Sequence, residues 1–284
     1  MATFFGEVLS VYSRAVEEDE EELDDENEED EQIRRELEEK REVYIEWYPE
    51  ITQSQGSGSS TLQCSDLIIA VGPNATGFLS AYVLNTDSWD AVGHVSLWNE
   101  KSRGSSRHKS APLPGEPACR FYRHRDNPVL MCQSTSYIAE DQLFQWTEKV
   151  FGCLQTRGLS VMVLSDSPVA EYKTPDYLYS SAVPFLRSLK SSAFQNKTLC
   201  PALEQPNIQT GLPAAVLSHC QVYQIPAVLY RCYTDVISPD SITMETYKPV
   251  LTCLSKLVTL ETCPSTDVLR KIAKIGEAQS NLYT

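Results

Sequence analysis

No stretch of this chain approaches the roughly eighteen consecutive apolar residues of a membrane span, so direct membrane insertion is not expected. The N-terminus, MATFFGEVLSVYSRAVEEDEEE, has neither a basic n-region nor a long apolar h-region, which excludes a secretory signal. C-x-x-C is missing and the cysteine gaps are irregular, so a zinc site is not expected. G-x-G-x-x-G, H-E-x-x-H and the Lys-Ser/Thr of a phosphate loop are missing as well. Basic residues are few: 24 Lys and Arg stand against 39 Asp and Glu, a formal charge of −15. That balance, without a recognisable nucleic-acid module, argues against nucleic acid as a partner.

The deficit is local. Residues 17–46 hold 18 acidic and 4 basic side chains, whereas residues 47–284 hold 20 and 19. Thirteen acids in the fifteen positions 17–31 repel one another and bury nothing, so residues 1–42 read as an acidic, mostly disordered leader. About 235 residues follow, enough for one sizeable core, and residues 43–278 read as a single domain. Nine cysteines without a signal sequence suit the reduced thiols of cytosol or nucleus.

Within the body, strands and helices alternate. A short helix to about Arg41 precedes an edge strand from Val43. DLIIAVG at 66–72 and LSVMVLS at 159–165 are short apolar runs with the look of buried central strands. Further strands are expected at 91–98, 119–124, 128–134 and 226–236. Helices are expected at 75–85, 139–156, 212–225, 240–258 and 265–276. In the second of these, Leu143, Trp146, Val150 and Leu154 form an apolar stripe. In the last, Val268, Ile272 and Ile275 are expected to face inward. VPFLRSLK at 183–190 reads as a short amphipathic turn or helix. The pattern predicts an α/β fold, three-layer α/β/α around a central mixed sheet.

Few residues suggest chemistry. Gly72 and Gly77 in GPNATG resemble a phosphate loop after a strand, but a structural turn accounts for them better. His219 and Cys220 are neighbours on a helix, about 100° apart, and so face different surroundings. The partial G-x-S-x-G at residues 56–59 lies in a Gly/Ser linker, where no nucleophile elbow forms. Arg103, Arg107 and Lys109, in an exposed loop, could join Arg120, Arg123 and Arg125 in a docking patch for an acidic protein. A solvated loop and a charge-protected strand edge are the other reading.

The chain finishes on Asn281-Leu282-Tyr283-Thr284. An aliphatic residue, a tyrosine and a terminal carboxylate can fill a groove, hydrogen-bond at its mouth and pair with a lysine. That is the pattern of proteins that insert into pockets on the proteasome's outer rings.

Several blocks read together carry a resemblance: CSDLIIAVGPNA (64–75), LWNE (97–100), YIAEDQLFQWTEKVFG (137–152), PFLRSLK (184–190), LEQPNIQTGLPAAVLSHCQVYQIPAVLYRCYTDV (203–236) and QSNLYT (279–284). With the acidic leader and KREV (40–43), the chain resembles the proteasome assembly chaperone 1 family from residue 40 onward. The resemblance implies a three-layer α/β fold and a heterodimer with proteasome assembly chaperone 2. It also implies binding to proteasome α subunits that promotes α-ring assembly and blocks ring dimerisation, with no catalysis and no cofactor. Leu282, Tyr283 and Thr284 match the family's pocket-binding tail, residues 279–284. The resemblance is compatible with a cytoplasmic or nuclear location and peripheral association with the endoplasmic reticulum. A leader tipped by Phe4 and Phe5 is long enough to enter the ring's central pore. Outside the resemblance, an α/β hydrolase- or phosphorylase-like enzyme and an acidic histone- or RNA-associated chaperone are the rival readings.

Overall fold

A computed structural model of the chain describes residues 30–35, 42–48, 61–84, 87–97, 117, 119–174, 183–236, 238–252, 258–260 and positions 264, 266, 267, 269, 270 and 272. The chain divides into two units, Met1–Glu42 and Val43–Thr284. In the first, residues 30–35 are helical and Arg35 Nη2 lies 2.8 Å from Glu31 Oε2, the i,i+4 pair that the charge spacing favours.

The second unit is built on a mixed sheet of eight strands. In chain order they are β1 (Val43–Trp47), β2 (Asp66–Val71), β3 (Trp89–Leu97), β4 (Cys119–His124), β5 (Val129–Ser134), β6 (Ser160–Pro168), β7 (Phe185–Lys190) and β8 (Ala227–Thr234). Their spatial order is β1-β3-β4-β5-β2-β6-β8-β7. The four central strands β5, β2, β6 and β8 are parallel, and the strands outside them pair antiparallel.

Helices α1 (Pro73–Tyr82), α4 (Ser241–Glu245) and α5 (Lys248–Thr252) lie on one face. Helices α2 (Glu140–Gly152) and α3 (Gly211–Val222) lie on the other. The apolar runs of the central strands follow from this double cover. In β2, Leu67 and Ile69 pack toward α2 and α3, while Ile68 and Ala70 pack toward α1. In β6, Val161 and Val163 take the first side and Met162 and Leu164 the second. Each such side chain contributes on the order of 1.5–3 kcal/mol when fully buried. The β1-β3-β4 end alternates instead. Val43, Val95 and Phe121 enter the core beside α2, whereas Tyr44, Glu46 and Arg120 are exposed on the opposite face.

Both sheet edges carry side-chain or loop cover. At β1, Val43 N–H donates to Gln145 Oε1 (2.7 Å) and Lys149 Nζ donates to Val43 O (2.8 Å). At β7, Ser188 N–H donates to Pro201 O (2.9 Å), and Leu203 N–H donates to Ser188 O (2.8 Å). Backbone groups committed in this way cannot recruit another strand.

Two segments differ from expectation. Residues 185–190 form a strand, not a turn or helix. Leu186 packs toward α1, α4 and α5 and Leu189 toward α2 and α3, so an apolar spacing of three serves two faces of a sheet. The expected helix 240–258 is broken after Glu245. Pro249 has no N–H to return to the Glu245 carbonyl, so the helix is interrupted, and α5 starts anew at Lys248 with Pro249 in its first turn, where the missing donor costs nothing. At the last helix, positions 266, 267, 269, 270 and 272 are helical, with Leu269 and Ile272 packed on the core. Val268 and Ile275 lie outside the described residues.

Gly93 sits opposite Trp47, and a Cβ there would meet Glu46 O at 2.6 Å and Trp47 Cε3 at 2.7 Å. Gly93→Ala is expected to push β1 off the sheet and cost about 1–3 kcal/mol. A lowered urea midpoint would register the loss; an unchanged one would contradict this packing.

Candidate functional site at the ends of the central strands

The strand β2 enters α1 through Gly72, whose φ of +100° favours glycine. A side chain at Gly72 would also overlap the carboxylate of Asp166, near the end of β6. Asp166 Oδ1 accepts the Ala75 N–H at 3.1 Å, and Oδ2 accepts from Asn74 Nδ2 at 3.3 Å. The helix end that cradles a phosphate in a phosphate loop is therefore filled by the chain's own carboxylate. Burial pushes the Asp166 carboxyl above the usual carboxylate range, against the opposing pull of the Ala75 and Asn74 donors.

The network continues outward. Asn74 Oδ1 accepts the Asp240 N–H at 2.9 Å. Asp240 caps α4, accepting the N–H groups of Ile242 (2.9 Å) and Thr243 (3.0 Å) and the Thr243 hydroxyl. Tyr247 donates its hydroxyl to Ser165 O at 2.7 Å, and burial holds that phenol well above its ordinary pKa.

Between β2 and β5 the following helices leave to opposite faces, α1 to one and α2 to the other. Such a switch point opens a crevice at the strand ends. Here it has a volume of about 350 Å³, and Gly72, Thr76, Ser80, Gln133, Ser136 and Tyr137 are among its lining residues. Gln133 is buried, and its Nε2 donates to Thr76 O (2.9 Å) and Ser80 Oγ (2.8 Å).

A second cluster closes the ends of β6, β8 and β7. The Arg231 guanidinium donates to Ser167 Oγ (2.8 Å), Ile208 O (3.1 Å) and Glu171 Oε2 (2.7 Å), and lies 5.0 Å from the Tyr233 ring centroid. Arg187 stacks against Phe185 and Tyr172, and the Tyr172 hydroxyl donates to Glu204. A buried guanidinium satisfied on all three nitrogens ties the 169–174 and 204–208 loops to the sheet. These contacts hold the loops in place, a structural role.

Of the site residues proposed from sequence, Arg120, Arg123 and Arg125 are among the described residues. Leu282, Tyr283, Thr284, Phe4, Phe5, Arg103, Arg107 and Lys109 lie outside the described residues. Arg120 and Arg123 are three apart on β4 and so point to opposite faces of the sheet. Arg125 forms a two-pronged pair with Asp90, at 3.0 Å and 2.7 Å, which holds the Asp90 carboxyl below the usual range. These three arginines therefore do not form one patch.

His219 is stacked on Phe151, with ring centroids 4.4 Å apart, and its Nδ1 lies 3.3 Å from Glu148 Oε1. Cys220 faces the core instead, and burial pushes its thiol up to about 12. Among the described residues, no three His, Cys, Asp or Glu side chains converge on a metal-holding arrangement. Sequence reasoning identified Gly72 as a turn but missed Asp166, 94 residues later, and Gln133. The one available signal was a carboxylate following the buried run VMVLS.

Fold and strand-end geometry define a class: a doubly covered α/β sheet with a switch-point crevice whose helix end is closed to anions. The family model PAC1, whose description reads "Proteasome assembly chaperone 4", matches residues 1–284. The chain is 58% identical over 286 residues to Proteasome assembly chaperone 1 of Danio rerio, covering 100% of each. It is 45% identical over 289 residues to Proteasome assembly chaperone 1 of Homo sapiens, covering 100% of this chain and 99% of that one. The fold is shared with Pyrococcus furiosus PbaA, an archaeal homolog of proteasome-assembly chaperone (TM-score 0.52, 14% identity, 84% of this chain and 96% of that one). It is likewise shared with P. furiosus PbaB, an archaeal proteasome activator (TM-score 0.51, 10% identity, 86% and 100%). This chain belongs to the proteasome assembly chaperone 1 family.

Removing the plug tests its role. Asp166→Ala leaves the Ala75 N–H and the Asn74 amide without their acceptor and is expected to cost about 1–3 kcal/mol. The pH dependence has a definite sign. A folded pKa above the unfolded one means that the protonated form favours folding, and that contribution is lost as pH rises through the folded value. Measured across pH by urea denaturation, wild type should therefore lose stability relative to Asp166→Asn as pH rises above the ordinary carboxylate range. A constant difference would contradict the burial argument.

Proposed function

We propose that this chain is a chaperone that forms a heterodimer with proteasome assembly chaperone 2 and promotes 20S proteasome assembly. It does so by binding the α-ring and preventing ring dimerisation. The observation that carries this reading is the full-length identity to relatives named Proteasome assembly chaperone 1, at 58% and 45%. The C-terminal Leu282-Tyr283-Thr284 supplies the docking chemistry: an aliphatic anchor, a phenol and a carboxylate for a pocket between adjacent α subunits. The role is binding, without a catalytic step and without a cofactor, in the cytoplasm or nucleus.

The acidic leader has a place in the same reading. About 45 extended residues reach on the order of 150 Å, so a segment carrying Phe4 and Phe5 can enter the ring's central pore while the body stays outside. Crosslinks confined to the solvent-side surfaces of the ring would contradict that placement.

The decisive experiment is recovery of α-ring intermediates with full-length protein and with a variant lacking residues 282–284. The truncated protein should still co-purify with proteasome assembly chaperone 2 but recover α-rings roughly tenfold less well, as for loss of an interface hot spot. Unchanged α-ring recovery would overturn the tail mechanism.

A further inference from the structure

The crevice between β2 and β5 has a chemistry that ring docking does not use. Gln133 is 94% buried, since its exposure is 6%. Both Nε2 contacts go to α1, at Thr76 O and Ser80 Oγ, which fixes the orientation of the amide. Its Oε1 then accepts no hydrogen bond from any described residue, although the side chain lines the crevice. With the amide oriented in this way, Oε1 is the acceptor that Gln133 offers to the crevice it lines.

Three of the hydroxyls around it turn their protons inward. Thr76 Oγ1 donates to Gly72 O (2.7 Å), Ser80 Oγ to Thr76 O (3.1 Å), and Ser134 Oγ to Ser136 O (3.4 Å). The Ala75 N–H, which would greet an anion, is already taken by Asp166. None of the described lining residues is Lys, Arg or His, and none is Asp or Glu. From the described lining, a phosphate or carboxylate would gain no compensating cation and an ammonium no counter-charge for the hydration it loses. The remaining match is a neutral group that donates a hydrogen bond. Val71, Pro73, Pro239 and Ile272 supply apolar walls, and Tyr137, 76% exposed, stands at the rim.

We propose that this crevice binds an uncharged ligand or side chain that carries a primary amide donor on an apolar body, with the amide N–H donated to Gln133 Oε1. The proposal does not depend on the ring-binding mechanism.

Benzamide, benzoate and phenyl phosphate titrated into the full chain and followed by NMR test the proposal. Benzamide should saturate with an affinity at least about tenfold above benzoate, and phenyl phosphate should not bind. Gln133→Met should weaken benzamide about tenfold, the scale of one hydrogen bond. Ser80→Ala, which removes one of the two acceptors that orient the Gln133 amide, should weaken it by about threefold. Equal or tighter binding of benzoate or phenyl phosphate overturns the proposal, as does unchanged benzamide affinity in a folded Gln133→Met. Should that variant fail to fold, unchanged affinity in Ser80→Ala overturns it instead. Repeating the titration on protein bound to α-ring intermediates separates two sources of the amide. Lost binding assigns the site to a partner's Asn or Gln, and retained binding to a soluble ligand.

Discussion

The Asp166 carboxylate holds the start of α1 against the end of β6, and Asn74 passes that restraint to Asp240 and the start of α4. One side chain thus ties together a central strand, the first crossover helix and a C-terminal helix some seventy residues further along. The arrangement depends on Gly72, because any Cβ there would occupy the space of the carboxylate. A carboxyl kept above its usual pKa by burial is a costly tie. Here it is offset by helix-end donors that would otherwise be left unsatisfied.

This plug bears on how the scaffold is used. Sheets of this layout commonly take anions where a helix begins beside a switch point. In this chain that position is already filled, while the neighbouring crevice keeps hydroxyl and amide groups and no charged side chain among its described lining. Fold and function separate accordingly. The body offers a rigid α/β platform, and the ring-docking reading rests on residues at the terminus.

Much of the fold was legible because burial on two faces leaves a signature. LIIAV in β2 and VMVL in β6 have no polar interruption, so they had to be central strands, and the Trp146 and Val150 spacing fixed the helix that covers them. Legibility failed where tertiary pairing overrode local pattern. PFLRSLK carries a spacing that suits one face of a helix, yet pairing with β8 spends Leu186 and Leu189 on opposite faces. The arginines failed for a related reason. Proximity in sequence says nothing of the face on which Arg120 and Arg123 emerge, nor that Asp90 waits for Arg125. Of the strand-end site only the Gly72 turn was readable, since Gln133 and Asp166 matter through contacts with α1 that no local motif encodes.

The position of β2 has a consequence for synthesis. Its two neighbours begin at Val129 and Ser160, about 60 and 90 residues after Asp66. At ribosomal rates of roughly 5–20 residues per second, the most apolar strand of the sheet emerges on the order of ten seconds before it can be paired. A protein read as a guardian of other subunits during assembly thus spends its own first moments with an unprotected strand. The acidic run at residues 17–31, which precedes β2 in the chain, carries like charge that keeps neighbouring copies apart during that interval.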